Sequence, residues 1–238
     1  TNLFNIFTKV IDMIGQFEKP IYVNFDENLC AHSKNNKIGC TKCLDVCPAG
    51  AIQSVGDIVS VDPGICGGCG FCGSVCPSGA IQTDYPSLEI ILNTLSDLIN
   101  SFIRAGGKNP VLILSDKNYG NEMIGLISRH GNGLPANVIP YEMHSVGRVG
   151  HDILVSAIAL GFIKIFILLD PKNSDEYSFL PKQVELANSL LSGVAKNNNN
   201  SISIIDDNDP EKVELKIYES EGYTKIKPAP FIALGAPR

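Results

Sequence analysis

Apolar positions divide the chain into three regions with different periods. Leu3, Ile6, Phe7, Val10, Ile11, Ile14 and Phe17 recur at helical spacing, which predicts an amphipathic helix over 3–17 ended by Pro20. Its apolar stripe is expected to pack on the rest of the protein, in preference to docking on a membrane or partner. Short runs at Ile21–Phe25 and Asp57–Val61 read as strands, with Ala51-Ile52-Gln53 and Ala80-Ile81-Gln82 as their return strands. Tyr85-Pro86 marks a boundary. Beyond it Ser87 is placed to cap a helix through Ile90, Ile91, Leu95, Leu98, Ile99 and Phe102 to Gly106-Gly107. Ile90 rules out a capping box, while Glu89 puts a negative charge in the first turn.

From there strands and helices alternate. Strands are expected at 111–115, 137–143, 163–169 and 201–205, and helices at 122–130, 150–160 and 183–196, with Asn197–Asn200 as a polar turn. Continuous Val/Ile/Leu strands separated by helices predict a mainly parallel sheet covered on both faces. The apolar run from Ile153 to Leu169 is short for a bilayer and broken by Gly161 and Lys164. It splits into a helix and a strand, so no transmembrane segment is expected.

All eight cysteines fall between residues 30 and 77: Cys30, Cys40, Cys43, Cys47, Cys66, Cys69, Cys72 and Cys76. Cys66-Gly-Gly-Cys69-Gly-Phe-Cys72-Gly-Ser-Val-Cys76-Pro77 is C-x2-C-x2-C-x3-C-P, the spacing that wraps three thiolates round one [4Fe-4S] cube and sends the fourth to a second. Cys40, Cys43, Cys47 and Pro48 repeat its last three cysteines and proline at an offset of 29 residues (40 to 69, 43 to 72, 47 to 76). Cys30 lies 36 residues before Cys66, so seven residues are inserted between Cys30 and Cys40. On either side the duplication resumes, Val23-Asn-Phe-Asp26 matching Val59-Ser-Val-Asp62. Zinc sites also use C-x2-C pairs, but a zinc ribbon has no need of two C-x2-C-x3-C-P runs in tandem. A disulfide framework belongs to an oxidising compartment and usually a short secreted chain, and no signal peptide is seen, so a cytoplasmic location is expected.

Residues 20 to 85 thus resemble the bacterial two-cluster ferredoxins. The resemblance implies two [4Fe-4S] clusters: cluster one on Cys30, Cys40, Cys43 and Cys76, cluster two on Cys66, Cys69, Cys72 and Cys47. The stretched loop after Cys30 departs from the family pattern. Residues 111 to 170 look like the delta subunit of methyl-viologen-reducing hydrogenases, in the Gly147-Arg148-Val149 turn and in Ala159-Leu160-Gly161 before the strand closing at Asp170. That family places cysteines where this chain has Ser145 and Asp170, so no further cluster is expected. The whole arrangement is similar to iron-sulfur proteins that accompany formate dehydrogenases. The expected architecture is an N-terminal helix (1–19), an α+β two-cluster ferredoxin-type domain (20–86) and an α/β docking domain (87–238).

Composition refines this picture. The chain of 238 residues is 44% hydrophobic and 18% charged, which is globular, with a formal charge of −6. Eight ionised thiols and two oxidised cores bring the loaded charge to about −10, which disfavours nucleic acid and suggests redox partners with basic docking surfaces. The start at Thr1 and the end at Arg238 read as a processed chain or a segment of a longer one.

Few other groups suggest chemistry. The loop after the first strand, Ser115 to Gly120, is not G-x-G-x-x-G, so no Rossmann cofactor is expected. The loop from His144 to Asp152 has hydroxyl, guanidinium and imidazole groups able to hold an anion or a partner's carboxylate. The preferred reading is plainer: Ser145 or Asp152 caps the helix, and Arg148 and His151 are solvated. His32 and His130 read as loop and helix-end residues. Around the clusters, Gly67, Gly68, Gly70 and Gly73 are read as letting the backbone curl closely, and Ile38, Val46, Ile52, Ile65, Phe71, Val75 and Ile81 as roofing both sites. Lys34, Lys37 and Lys42 surround cluster one, while no charged residue lies between Cys66 and Cys76, so cluster one is expected to have the higher potential. With no nucleophile or paired carboxylates, the functional expectation is an electron-transfer component of an oxidoreductase, the alternatives being an α/β enzyme or ligand sensor served by the clusters, or a cluster-stabilised scaffold.

Overall fold

The computed structural model describes residues 3–12, 14–15, 18–34, 37–194 and 201–219. The first helix, α1 (Leu3–Ile11), is shorter than its apolar period suggested. Its stripe is not packed on the protein, which corrects that expectation: Phe4, Phe7, Val10 and Ile11 are more than half exposed. Phe17 lies outside the described residues.

The cysteine-rich unit contains β1 (Val23–Phe25), β2 (Ser33–Lys34), β3 (Lys37–Ile38), α2 (Lys42–Val46), β4 (Ile52–Val55), β5 (Ile58–Val61), α3 (Phe71–Val75) and β6 (Ile81–Thr83). The strands pair antiparallel in a nested way. β1 lies on β6, with Asn24 opposite Gln82, and β4 lies on β5, with Gln53 opposite Ser60. Each strand before a cysteine loop is therefore joined by the return strand of the other repeat, not of its own. The inserted residues are not a slack loop either, since β2 and β3 form a small hairpin of their own. Ser33 holds that hairpin to the β4–β5 turn, its N–H donating to the Asp57 carbonyl at 3.1 Å and its hydroxyl to Asp57 Oδ1 at 2.8 Å.

Ser87 caps α4 (Leu88–Arg104), accepting from the Ile90 N–H at 3.4 Å, and Gly106 ends it at φ 87°. Then follow β7 (Val111–Asp116), α5 (Tyr119–His130), β8 (Val138–Met143), α6 (His151–Leu160), β9 (Lys164–Leu168), α7 (Leu180–Val194), β10 (Ile202–Ile205) and α8 (Pro210–Tyr218). α8 was not foreseen; Pro210 at its first turn and Asp209, accepting from the Glu211 N–H, begin it in a segment whose apolar face is only Val213 and Ile217. The expected turn at 197–200 and the last residues of the preceding helix, 195–196, lie outside the described residues.

The four strands run parallel in the order β10-β9-β7-β8. Alternation along them feeds two cores. Leu112, Leu114, Ile165 and Ile167 pack with α4, α6 and α7, whereas Val111, Ile113, Phe166 and Leu168 pack with α5 and α8. Gly161, at φ 118°, separates α6 from the fully buried β9. Among the described residues no helix is long and apolar enough to cross a membrane.

The two units meet at the carboxyl ends of β8 and β9. After β8, Ser145 accepts from the Gly147 N–H at 3.1 Å and starts a 3-10 turn over Val146–Arg148 that lies against α3. Phe71 of α3 inserts between the turn and the segment after β9, its ring 5.2 Å from Tyr177 and 4.9 Å from Phe179. Contact at Gly147 is so close that a Cβ there would lie 1.9 Å from the Phe71 ring. Gly147→Ala should therefore destabilise the protein by about 1–3 kcal/mol in denaturant titration. Gly125→Ala, in α5 with nothing within 4 Å of the new methyl, should instead stabilise it by about 0.5–1 kcal/mol.

Candidate iron-sulfur site

Local sequence explains how the thiols are brought together. Cys43 lies on α2 and Cys72 on α3, two five-residue helices packed side by side. A proline disfavours helical backbone in the residue before it. Hence Cys47, before Pro48, and Cys76, before Pro77, leave their helices in extended conformation, at φ −76°, ψ 105° and φ −73°, ψ 112°. The turn carrying Cys66 and Cys69 depends on Gly68 and Gly70, at φ 73° and 84°; a Cβ on Gly68 would stand 2.7 Å from the Tyr22 ring.

Cys30, Cys40, Cys43 and Cys76 line one cavity, with Val59, Ile81 and His32. Electrostatic coupling groups the thiols in the same way: Cys43 is coupled to Cys76, Cys40 and Cys30, and Cys69 to Cys47 and Cys66. Cys72 feels Cys69 and Cys66 most, with a weaker influence from Cys43. None of the eight cysteines is paired in a disulfide. Burial first, and neighbouring thiols second, push Cys43 up to about 11 and Cys72 to about 12. Burial likewise raises Cys69. Burial also acts upward on Cys76, but there hydrogen bonds from the Ile81, Ser78 and Ala80 backbone and the Ser78 hydroxyl prevail and lower it.

Further amide donors point at sulfur from Phe71 to Cys69 and from Gly73 to Cys72. Clustered thiols that share a poorly hydrated space, with backbone N–H groups aimed at them, suit an iron-sulfur cube, whose positive irons keep the thiolates ionised. Among the described residues no three His, Cys, Asp or Glu side chains are close enough to share one ion. A cube spreads its four thiolates over four irons and does not require that.

The apolar roof is less even than expected. Ile52 and Ile81 pack with Cys43 and Cys72, and Phe71 and Val75 with Phe179, but Ile38 and Ile65 are exposed. Lys37 and Lys42 are exposed as well. Arg148 and His151 are not solvated side chains, a second correction. Arg148 is buried, its Nε donating to Thr83 Oγ1 at 2.6 Å and Nη1 to Asp152 Oδ2 at 3.2 Å, and His151 Nδ1 is 2.9 Å from Gln183 Oε1. Ser145 caps the 3-10 turn, and α6 begins at Gly150 without a side-chain cap.

His32 was missed as a structural group. It is buried at 2% exposure; Nδ1 lies 2.8 Å from the Cys40 carbonyl and Nε2 2.6 Å from Ser54 Oγ. A carbonyl only accepts, so Nδ1 carries the proton and donates. The imidazole ties the hairpin insertion to β4, and its only sequence signal was its place beside Cys30 in an inserted loop. His32→Ala removes a buried imidazole together with both of its hydrogen bonds and should cost about 1–3 kcal/mol, read as a fall in the denaturation midpoint. A solvated loop histidine would change it by less than about 0.5 kcal/mol.

Residues 36–80 match the family model of the 4Fe-4S dicluster domain, which takes in seven of the eight cysteines and leaves Cys30 outside. No curated protein matches the chain, so the comparisons lend nothing to the likenesses to the hydrogenase delta subunit or to formate dehydrogenase-associated proteins. The match supports an iron-sulfur, ferredoxin-like domain that binds 4Fe-4S, followed here by an α/β region with a four-stranded parallel sheet.

Proposed function

We propose that this protein relays single electrons through two [4Fe-4S] clusters between redox protein partners, as a component of an oxidoreductase complex. Cluster one is held by Cys30, Cys40, Cys43 and Cys76, and cluster two by Cys66, Cys69, Cys72 and Cys47. The observation that supports this reading is the cavity shared by Cys30, Cys40, Cys43 and Cys76, in which the fourth thiol comes from the other repeat. Exchange of Cys47 and Cys76 fixes the two sites as neighbours.

A bound [4Fe-4S] cube supplies one-electron chemistry with little rearrangement. The chain's share is to position it and set its environment. Val59, Phe71 and Ile81, each about 1% exposed, exclude water. The amides of Phe71, Gly73, Ser78, Ala80 and Ile81 donate to sulfur and favour the more negative state. The net charge of −6 suits partners with basic docking surfaces.

A second reading has one observation of its own. Strand order reverses between β7 and β9, and at their carboxyl ends a cavity of about 530 Å3 is lined by Lys117, Asn118, Tyr119, Asp170 and Lys172. Open α/β sheets bind ligands at such switch points. A ligand sensor served by the clusters would show a metabolite-dependent thermal shift of the full chain, which a relay with a pure docking domain would not.

Anaerobically prepared protein should contain about eight irons and about eight sulfides per chain. On reduction its paramagnetic resonance spectrum should show two interacting spins, as adjacent cubes require. Zinc in place of iron, or a single cube, would overturn the proposal.

A further inference from the structure

The cysteine loop that contains no charge receives one from the α/β domain. Between Cys66 and Cys76 there is no charged residue, yet the stem of Arg148 lies directly on this loop. A Cβ added to Gly70 would stand 2.8 Å from Arg148 Cβ and 2.9 Å from Cδ. Gly70 lies between Cys69 and Cys72 and begins α3. The guanidinium end is fixed by Thr83 Oγ1 at 2.6 Å and Asp152 Oδ2 at 3.2 Å, and a Cβ on Gly73 would be 3.7 Å from the Thr83 methyl. The stem thus lies on the segment that carries Cys72, and the threonine that fixes the guanidinium end packs near the same segment.

Burial decides how much this charge is felt. The Arg148 side chain is 7% exposed and Asp152 27%, whereas Lys37 and Lys42 on the other loop are exposed. Water and salt screen exposed charges far more than buried ones. The count of lysines therefore gives no ranking of the two potentials, and the expectation that cluster one is higher loses its basis.

We propose that Arg148 is a positioning residue that raises the potential of the cluster on Cys47, Cys66, Cys69 and Cys72, with Asp152 as the opposing charge of the same buried pair. This rests on the two-cluster reading. A positive charge at the loop favours the extra electron of the reduced cube, and a negative charge disfavours it. The contact that joins the two units is then also the one that sets the potential of the cluster nearer the α/β domain.

Opposite signs make this testable. Redox titration followed by paramagnetic resonance would be run on the loaded full-length protein, with Cys69→Ser used to assign the cluster-two signal. Arg148→Gln should move that signal to lower potential and Asp152→Asn should move it to higher potential, with the other signal unmoved. Arg148→Lys, which keeps the charge but loses the planar fork, should lie between Arg148→Gln and the unaltered protein. Shifts of the same sign in the Gln and Asn variants, which general loosening would produce, equal shifts of both signals, or no shift would overturn the proposal. Iron and sulfide counts on the unaltered protein test the two-cluster reading separately.

Discussion

Two prolines set the constraint on which the cysteine-rich unit depends. Pro48 and Pro77 disfavour a helical backbone at their preceding cysteines, and α2 and α3 stop after five residues with Cys47 and Cys76 leaving in extended conformation. Had either helix run on, its last cysteine would have stayed on its own helix. The short helices instead lie side by side, and the following strands, β4 and β6, are carried to the partner half. Strand pairing is exchanged between the halves, and Cys76 likewise lies with Cys30, Cys40 and Cys43; both follow these turns.

Burial of Cys43 and Cys72 is unfavourable for their ionised form and pushes both thiols up. The surrounding apolar side chains are few and several are exposed, so the unit is not a self-sufficient core. Part of its cover comes from the α/β domain, through Phe179 and Tyr177 on Phe71, and through the turn at Gly147. The parallel sheet has two full cores of its own and can serve as the rigid side of this contact.

Much of this was legible in the sequence because it rests on local rules. Period gave α4, α5, α6 and the four parallel strands to within a few residues, and cysteine spacing gave the chemistry. What was not legible depended on distant partners. Arg148 and His151 sit in a polar loop and look solvated until Thr83 and Gln183 are brought to them across the chain. His32 looks like a loop residue until Ser54 arrives. The stripe on α1 has helical period, but period records which side is apolar, not whether anything covers it. The return strands at 51–53 and 80–82 were legible, but which half each would join was not, because two near-identical segments offer no local basis for choosing between them.

The pairing of β1 with β6 has a consequence for biosynthesis. A nascent chain halted before residue 81 offers Val23–Phe25 no strand to lie on, and it lacks Pro77 or has it still in the exit tunnel. The first strand of the unit is therefore completed only when nearly the whole ferredoxin-like unit has emerged. Folding of the unit is thus governed by its last strand to be translated, not by its first.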